Sequence, residues 1–357
     1  MRIVILGLTI TSSWGNGHAT TFRGLVRGLA RRGHQVLFLE CDKPWYAAHR
    51  DLPDPPYGTT RLYPDTAALE RDWGAAIRDA DAVIVGSYVP DGVAVGRLVQ
   101  REATGVTAFY DIDTPVTLAA LAAGRCDYLD AGLVRGFDVY LSFTGGATLT
   151  ELEQRLDARR ARALYCSADP DIYHPDPQAA PGWDLGYLGT YSSDRQPTVD
   201  ALLLQPATAW AEGRFVVAGP QYPDTVCWPG NVERIEHLPP DRHRGFYCGQ
   251  RYTLNVTRAD MIRRGHSPSV RLFEAACCGV PIISDWWPGL DELFRPAEEI
   301  LIARTAAEVL SILQTQPEAD RLAVAERARR RVLDAHTGDH RAAELERHLV
   351  ECAGVAA

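Results

Sequence analysis

The sequence has very little lysine: Lys43 is the only one among 357 residues, so arginine carries nearly all of the positive charge. A phosphate site built on lysine is therefore excluded for almost the whole chain. Arginine, whose planar guanidinium suits phosphate oxygens, has to take that role. The formal net charge of −9 also argues against general binding to nucleic acid or to an anionic membrane surface.

Other common features are missing as well. The eight cysteines are dispersed and form no C-x-x-C pair, so neither a disulfide framework nor a zinc ribbon is indicated. No apolar run approaches the length of a membrane span, and no signal peptide is recognisable. We expect reduced thiols, no transmembrane segment and a cytoplasmic location.

Strands alternate with helices along most of the chain. Residues 2–8 are a continuous apolar run, typical of a strand covered on both faces, and a loop, a helix to Arg32 and a second strand at 35–40 follow. Such β-loop-α-β units build doubly wound parallel sheets. The same pattern predicts further strands at 82–86, 106–110, 139–143, 185–188, 215–218, 254–257 and 280–284, and an irregular insertion at 42–63.

The alternation is interrupted once, by a proline-dense segment without periodicity at residues 167–183. We therefore predict an N-terminal Rossmann-like domain over 1–166, a linker over 167–183 and a second Rossmann-like domain over 184–335. The remaining residues, 336–357, form a C-terminal helix that packs back on the first domain. The predicted fold class is α/β, with two doubly wound domains.

The stretch from 265 to 294 carries the most specific pattern. Ser267 and Pro268 are placed to cap and open a helix, which leaves free backbone amides at its start. Helix N-termini bind phosphate, and Glu274, two turns in, can accept hydrogen bonds from ribose hydroxyls. Gly279 ends the helix before the next strand. The pattern therefore favours a nucleotide diphosphate as ligand.

This stretch resembles a known family. FEAACCGVPII followed by GLDELF resembles the E-A-x-A-x-G-x-P and G-x-x-E motifs of group 1 glycosyltransferases, and SPSVRLFEAACCGVPIISDWWPGLDELF is similar to their CgeB-like branch. The resemblance implies a GT-B fold, in which two Rossmann-like domains face a cleft. It also implies a nucleotide-sugar substrate of the UDP, GDP or dTDP type and no further cofactor. Many members carry a first glutamate where this chain has His266.

The resemblance also implies a set of residues for the sugar donor. Group 1 enzymes often carry a basic residue six positions after a glycine that follows a strand, and Arg195 stands at that spacing from Gly189. Positive groups there stabilise the charge that grows on the departing diphosphate. The residues assigned to the sugar donor are Gly189, Arg195, Arg258, His266, Ser267, Ser269, Val270, Arg271, Glu274 and Glu292.

The candidate acceptor side lies near the N-terminus. Gly15, Asn16, Gly17 and His18 follow the first strand, and GNGH resembles the glycine-rich loop of GT-B enzymes. A histidine there can deprotonate an acceptor hydroxyl, or it can simply cap the helix.

A second candidate on that side is a pair of aspartates. Asp111 and Asp113 follow another strand, and the side chains of an extended D-x-D point to one face. The two carboxylates can act as the base for the acceptor, or they can bind a metal ion. Alternatively, they can lie in a solvated turn, or Asp113 can cap the next helix.

Together these patterns predict a glycosyltransferase that acts on an acceptor hydroxyl without a metal ion. The resemblance favours retention of anomeric configuration, while the loss of the first glutamate weakens that expectation. If transfer inverts the configuration, His18 or Asp113 is the expected base. Two alternatives stay open: a sugar-nucleotide epimerase of the same architecture, and a non-catalytic protein that binds nucleotide sugars.

Overall fold

The computed structural model describes residues 1–354, and the chain forms two compact units. The first unit combines Met1–Cys166 with the segment that begins at Gly338, and the second spans Ser167–Thr337. The proline-dense residues 167–183 lie in the second unit, where Ala168 forms a parallel bridge with Thr337. Among the described residues, no helix is long and apolar enough to cross a membrane.

The first unit is built on a seven-stranded parallel sheet with the order β3-β2-β1-β4-β5-β6-β7. Val4 of the first strand in the chain pairs with Leu37 on one side and Val83 on the other. The strands are β1 (Arg2–Gly7), β2 (Gln35–Cys41), β3 (Thr59–Tyr63), β4 (Ala82–Gly86), β5 (Val106–Asp111), β6 (Val139–Ser142) and β7 (Ala161–Ala163).

Helices cover both faces of this sheet, as continuous apolar strands require. Phe22, Leu25, Val26 and Leu29 recur at helical spacing and bury one side of the first helix. The helices are α1 (His18–Arg31), α2 (Pro44–Ala47), α3 (Thr66–Arg78), α4 (Gly92–Glu102), α5 (Thr114–Ala122), α6 (Ala131–Gly136), α7 (Ala147–Arg155) and, from the C-terminal end of the chain, α16 (Gly338–Ala353).

Helix α16 packs against α1 through glycines. A Cβ atom on Gly28 would lie 2.5 Å from the carbonyl oxygen of Gly338, and one on Gly338 would lie 2.5 Å from that of Gly24. The two helix backbones can approach so closely only because these positions lack side chains. This contact joins the C-terminal helix to the first unit.

The second unit has a six-stranded parallel sheet with the order β10-β9-β8-β11-β12-β13. Its strands are β8 (Trp183–Leu188), β9 (Phe215–Ala218), β10 (Val232–Ile235), β11 (Gln250–Asn255), β12 (Ile282–Ser284) and β13 (Leu301–Ile302). Its helices are α8 (Gln196–Val199), a π-helical turn (Asp200–Leu204), α9 (Gln205–Ala209), a 3₁₀ turn (Pro240–Arg242), α10 (His243–Cys248), α11 (Ala259–Arg264), α12 (Val270–Cys277), α13 (Leu290–Leu293), α14 (Ala306–Thr315) and α15 (Glu318–Ala335).

Several boundaries differ from the sequence prediction. Residues 42–63 are not wholly irregular, because they include α2 and the edge strand β3. Strand β11 ends at Asn255, so residues 256–257 already belong to the following loop. Strands β7, β10 and β13 were not predicted, since with at most four residues each they are too short for a periodic signal.

Each sheet reverses its strand order once, between β1 and β4 in the first unit and between β8 and β11 in the second. In open α/β sheets, ligands bind outside the carboxyl ends of the strands at such a switch point. This places the expected sites beside Gly7 and Gly86 in one unit and beside Leu188 and Asn255 in the other.

Candidate active site

Arg271 lies in the first turn of α12 and spans the switch point of the second unit. Its Nε donates to the carbonyl oxygen of Leu188 at 2.6 Å, and its Nη1 donates to Oδ1 of Asn255 at 2.9 Å. The guanidinium also lies 4.9 Å from the centre of the Tyr187 ring. The side chain is therefore fixed between the carboxyl ends of β8 and β11.

Asn255 is held in the orientation that suits Arg271. Its amide nitrogen donates to the hydroxyl of Ser284 at 2.9 Å, which turns its oxygen towards α12. That oxygen also accepts a hydrogen bond from Ser269 at 2.9 Å. Because an amide offers one donor side and one acceptor side, these partners together determine which way the group faces.

Arg195 is a second cation at this end of the sheet. Its Nη2 donates to the carbonyl oxygen of Thr190, while its Nε is buried without a hydrogen-bond partner in the part of the chain that the structure describes. Burial lowers the pKa of Arg195, and the nearby charges of Arg271 and Arg258 lower it further. Three guanidinium groups thus lie close enough to repel one another.

The charges of Arg195 and Arg271 are not balanced by ion pairs. Within residues 1–354, no carboxylate forms an ion pair with Arg195 or Arg271, and Arg258 lies 4.0 Å from a carboxylate oxygen of Asp194. Burial raises the pKa of Asp285, while hydrogen bonds from Thr257 and Ser284 and the positive charge of Arg271 act in the opposite direction. Buried charges are ordinarily paired, so this arrangement favours an anionic ligand.

Glu274 lies in the same helix, one turn after Arg271. It is buried, and the Tyr247 hydroxyl donates to its Oε2 at 3.0 Å. Burial raises the pKa of Tyr247, and the charge of Glu274 raises it further. The carboxylate is thus held by α10, and one of its oxygens already has a protein partner.

His266 precedes α12 in a strained backbone conformation, with φ of 45°. Its amide donates to the carbonyl oxygen of Pro288, and its ring Nδ1 lies 3.3 Å from Oε2 of Glu292. A Cβ atom on Gly289 would lie 2.4 Å from that ring nitrogen, so glycine is required there. The structure therefore brings His266 together with Glu292.

The start of α12 differs from the prediction. The helix begins at Val270, with Ser269 at the N-cap position, so Ser267 does not cap it. Ser269 does not cap it through its side chain either, since its hydroxyl donates to Asn255. The proline and the buried Ser267 lie in extended chain before the helix. The residue at the N-cap position therefore leaves the amides at the helix start uncapped by its side chain.

Gly189 directly follows β8 at the same switch point. A Cβ atom there would lie 2.6 Å from the Tyr187 hydroxyl and 3.1 Å from Nη2 of Arg271. Any side chain at this position would displace the arginine.

In the first unit, Asp111 and Asp113 differ in exposure. Asp111 ends β5 fully buried and accepts hydrogen bonds from the hydroxyls of Tyr140 and Thr117. Burial raises its pKa to about 6, against the effect of those hydrogen bonds. The expectation that both carboxylates share one open face is therefore wrong for Asp111, which is enclosed by the protein.

Asp113 is only partly buried, and its Oδ2 accepts a hydrogen bond from the Tyr88 hydroxyl at 3.2 Å. It stands at the N-cap position of α5, but its side chain makes no capping bond. In residues 1–354, no group of three His, Cys, Asp or Glu side chains is arranged to hold a metal ion.

His18 is the first residue of α1 and lies edge-on to Tyr88, with ring centres 5.4 Å apart. Burial lowers its pKa to about 4, so the imidazole is neutral at pH 7. Its Nδ1 is buried without a partner among the described residues. Asn16 holds the loop before it by accepting from the amides of His18 and Ala19. Through their shared neighbour Tyr88, His18 and Asp113 come together.

Comparison with known proteins gives the following matches. A family model described as glycosyl transferase-like matches residues 195–347, which include every candidate in the second unit except Gly189. No curated protein matches the chain significantly. Among solved structures, sucrose-phosphate synthase from Thermosynechococcus elongatus has a TM-score of 0.70 at 14% identity, over 100% of both chains.

HepE from Anabaena, solved with UDP and glucose, has a TM-score of 0.69 at 12% identity, over 98% of this chain and 100% of its own. An α-glucosyltransferase solved with UDP and DNA has a TM-score of 0.71 at 12% identity, over 98% of this chain and 99% of its own. The chain has the GT-B fold. At such low identity the likeness extends to the fold and not to the substrates.

Within this GT-B fold, sequence reasoning missed several residues that shape the sites. Asn255, Tyr247 and Tyr88 each contact a predicted residue from a distant part of the chain. The one signal that was available for Asn255 is its place at the end of a strand, where parallel sheets present polar side chains to ligands. Nothing local marks the two tyrosines, which resemble ordinary core aromatics.

Proposed function

We propose that this protein is a glycosyltransferase that moves a sugar from a nucleotide-diphosphate sugar to an acceptor hydroxyl. The observation that carries the proposal is the pair of cations Arg195 and Arg271, which have no ion-pair partner within residues 1–354. A diphosphate supplies the negative charge that the two guanidinium groups lack. The switch point of the second sheet is also the usual ligand position in such folds.

In this proposal, Arg271 and Arg195 bind the diphosphate together with the backbone amides at the start of α12. When the bond to the sugar breaks, negative charge grows on the departing phosphate. Preorganised guanidinium and amide groups stabilise that charge more strongly in the transition state than in the ground state. Arg271 suits this role because the hydrogen bonds to Leu188 and Asn255 already hold it in place.

Glu274 accepts hydrogen bonds from the ribose in this proposal. The Tyr247 hydroxyl donates to one carboxylate oxygen and holds the group in place, and Tyr173, whose pKa is raised by burial and by the charge of Glu274, lies beside it. His266 contacts the donor sugar, with Glu292 holding its ring.

On the acceptor side, we propose that His18 or Asp113 accepts the proton of the acceptor hydroxyl. A neutral imidazole can accept a proton, and a carboxylate can do the same or orient the hydroxyl. We assign Asp111 a positioning role, because it is fully buried beneath Asp113 and its oxygens are already bonded.

We further propose that transfer needs no divalent ion, since arginine already supplies the positive charge. EDTA should leave the turnover rate unchanged. Loss of activity in EDTA that Mn²⁺ restores would contradict this assignment. Retention of anomeric configuration is the expected outcome from the group 1 resemblance, and proton NMR of the product distinguishes it from inversion.

The first test is a thermal-shift screen of UDP-, GDP- and dTDP-sugars, with UDP-glucose first because it is the ligand of a HepE structure with the same fold. Binding should raise the melting temperature of the wild type and much less that of Arg271→Gln. Arg321→Gln is a matched control: this arginine is equally buried, at 8% exposure, but is paired with Glu318.

A nucleotide sugar that stabilises the protein should then be incubated with the protein and a set of acceptors, and the reaction products should be analysed. A sugar transferred to an acceptor supports the proposal, whereas an epimerised nucleotide sugar identifies an epimerase. If no nucleotide sugar shifts the melting temperature, the proposal is wrong.

A further inference from the structure

An exposed tryptophan lies in the loop between β1 and α1, residues 8–17. The Trp14 side chain is 47% exposed, and its ring stacks on that of His49 with centres 4.6 Å apart and planes 12° apart. His49 covers one face of the indole, so the exposed area lies on the other face and the edges. The outer face of this stacked pair is a flat apolar surface that is open to solvent.

A buried carboxylate, that of Glu40, holds the start of this loop rigidly. Glu40 is fully buried, and its two oxygens accept hydrogen bonds from the amides of Ile10 and Thr11 and from the Thr11 hydroxyl, at 2.7–3.0 Å. Removing a carboxylate from water is costly, and these three bonds compensate for that cost. The loop therefore leaves the sheet along a fixed path.

The middle of the loop is fixed from the other side. Asp51 accepts hydrogen bonds from the amide and hydroxyl of Ser13 and from both terminal nitrogens of Arg23. Although burial raises the pKa of Asp51, these bonds outweigh it and lower the pKa to about 2. The residue directly before Trp14 is thus anchored, and the indole is preorganised rather than mobile.

The backbone of Trp14 is tied to that of the candidate base. Asn16 donates to the carbonyl oxygen of Trp14 and accepts from the amide of His18, which joins the two residues through one side chain. Cβ atoms on Gly15 and Gly17 would meet no atom within 4 Å, so the surface between them is unobstructed. The segment between Trp14 and His18 is therefore held by one side chain and carries no bulky group at its two glycines.

The charges around the loop favour a neutral ligand. Arg23 is paired with Asp51, and Arg50 is paired with Asp42 while also donating to the Thr11 hydroxyl. Within residues 1–354, both arginines that donate to the loop are thus paired with a carboxylate. The surface therefore offers an aromatic face and polar groups, and these two cations are not free for a phosphate.

We propose that Trp14 is the stacking platform for a pyranose ring of a saccharide acceptor, an assignment that rests on the proposed function. The apolar C–H face of the sugar lies on the indole, and one of its hydroxyls extends towards His18. A saccharide fits better than a planar aromatic alcohol, because one exposed aromatic face is bordered by several hydrogen-bonding groups.

The test uses the wild type, Trp14→Ala, Trp14→Phe and the control Trp45→Ala, which removes another exposed tryptophan of the same unit, 53% exposed. Tryptophan fluorescence is titrated with methyl glucoside, methyl galactoside, methyl mannoside, maltose and cellobiose, and separately with benzyl alcohol. At least one saccharide should quench the wild type and Trp45→Ala but not Trp14→Ala. In transfer assays with that saccharide, Trp14→Ala should raise the acceptor KM about tenfold, the scale of one aromatic contact, while Trp14→Phe recovers most of the loss.

Saccharides that fail to quench the wild type, or that bind Trp14→Ala equally well, would overturn the assignment, as would binding of benzyl alcohol alone. UDP-glucose thermal shifts in the same four proteins separate the two proposals. Normal shifts without saccharide binding contradict only the Trp14 platform, whereas the absence of shifts with every nucleotide sugar contradicts the proposed function.

Discussion

The guanidinium of Arg271 and the side-chain oxygen of Asn255 lie 2.9 Å apart, and this hydrogen bond joins the start of α12 to the end of β11. Asn255 is a neutral partner, so it orients the arginine without cancelling its charge. An aspartate of nearly the same shape would form an ion pair instead. The asparagine thus leaves the cation available for a ligand.

Asn255→Asp should therefore weaken diphosphate binding while the fold is kept. We expect affinity for UDP to fall about 10–100-fold, the range for losing a hydrogen bond to a charged group, and affinity for uridine to change little. Isothermal titration with both ligands measures the difference. Equal losses for uridine and UDP would show that Arg271 does not contact the phosphates.

Tyr247 and Glu274 allow a test of the ribose assignment. Tyr247→Phe removes a donor from a buried carboxylate and should cost about 1–3 kcal/mol of unfolding free energy. Glu274→Gln should weaken uridine and UDP binding by the same factor, because both ligands contain the ribose. Urea denaturation and titration calorimetry provide the two measurements.

Tyr187→Phe is the matched control for Tyr247→Phe. The Tyr187 hydroxyl is buried without a partner within residues 1–354, so its removal should cost little or even stabilise the protein. A large loss in this control would mean that both tyrosines act through packing rather than through a hydrogen bond.

Gly28→Ala should destabilise the protein, because the added methyl group would meet the backbone of Gly338 at 2.5 Å. Overpacking of this kind typically costs about 1–3 kcal/mol. Gly74→Ala in α3 is the control: its added methyl group meets no atom within 4 Å, and alanine favours a helix over glycine by roughly 0.5–1 kcal/mol. Thermal unfolding should therefore shift the two variants in opposite directions, and a shared direction would refute the proposed helix contact.

His18 should make stability depend on pH. Its folded pKa of about 4 lies below the ordinary value of 6.5, so the unfolded chain takes up the proton first as pH falls. The wild type should lose stability between pH 6.5 and 4, and about 2 kcal/mol of that loss should have occurred by pH 5. His18→Gln cannot titrate and should lack this component.

Urea denaturation of both proteins at pH 7 and pH 5 tests that expectation. Other carboxylates and histidines contribute equally to both chains and cancel in the difference. A difference that does not change between the two pH values would mean that the imidazole of His18 is accessible to solvent and protonates normally.

Local sequence was sufficient for much of the architecture. Residues 3–7 of β1 are buried without exception, and an uninterrupted apolar run has no other stable place in an α/β fold. The spacing of Phe22, Leu25, Val26 and Leu29 likewise required a helix with one covered face. The sequence from 265 to 294 also indicated the region of the candidate site in the second unit. These signals are local, since each arises from neighbours within one element.

Tertiary structure alone decided which side chains meet. Arg271 reaches the carbonyl oxygen of Leu188 across 83 positions of sequence, and Glu274 meets Tyr247 across 27. Asp111 and Asp113 look alike in sequence, yet β5 buries one and leaves the other partly exposed. Whether a polar side chain is buried, and which partner it contacts, depends on the distant segments that pack against it. Periodicity specifies the face on which a residue lies, but only the assembled sheet specifies the residue that lies opposite.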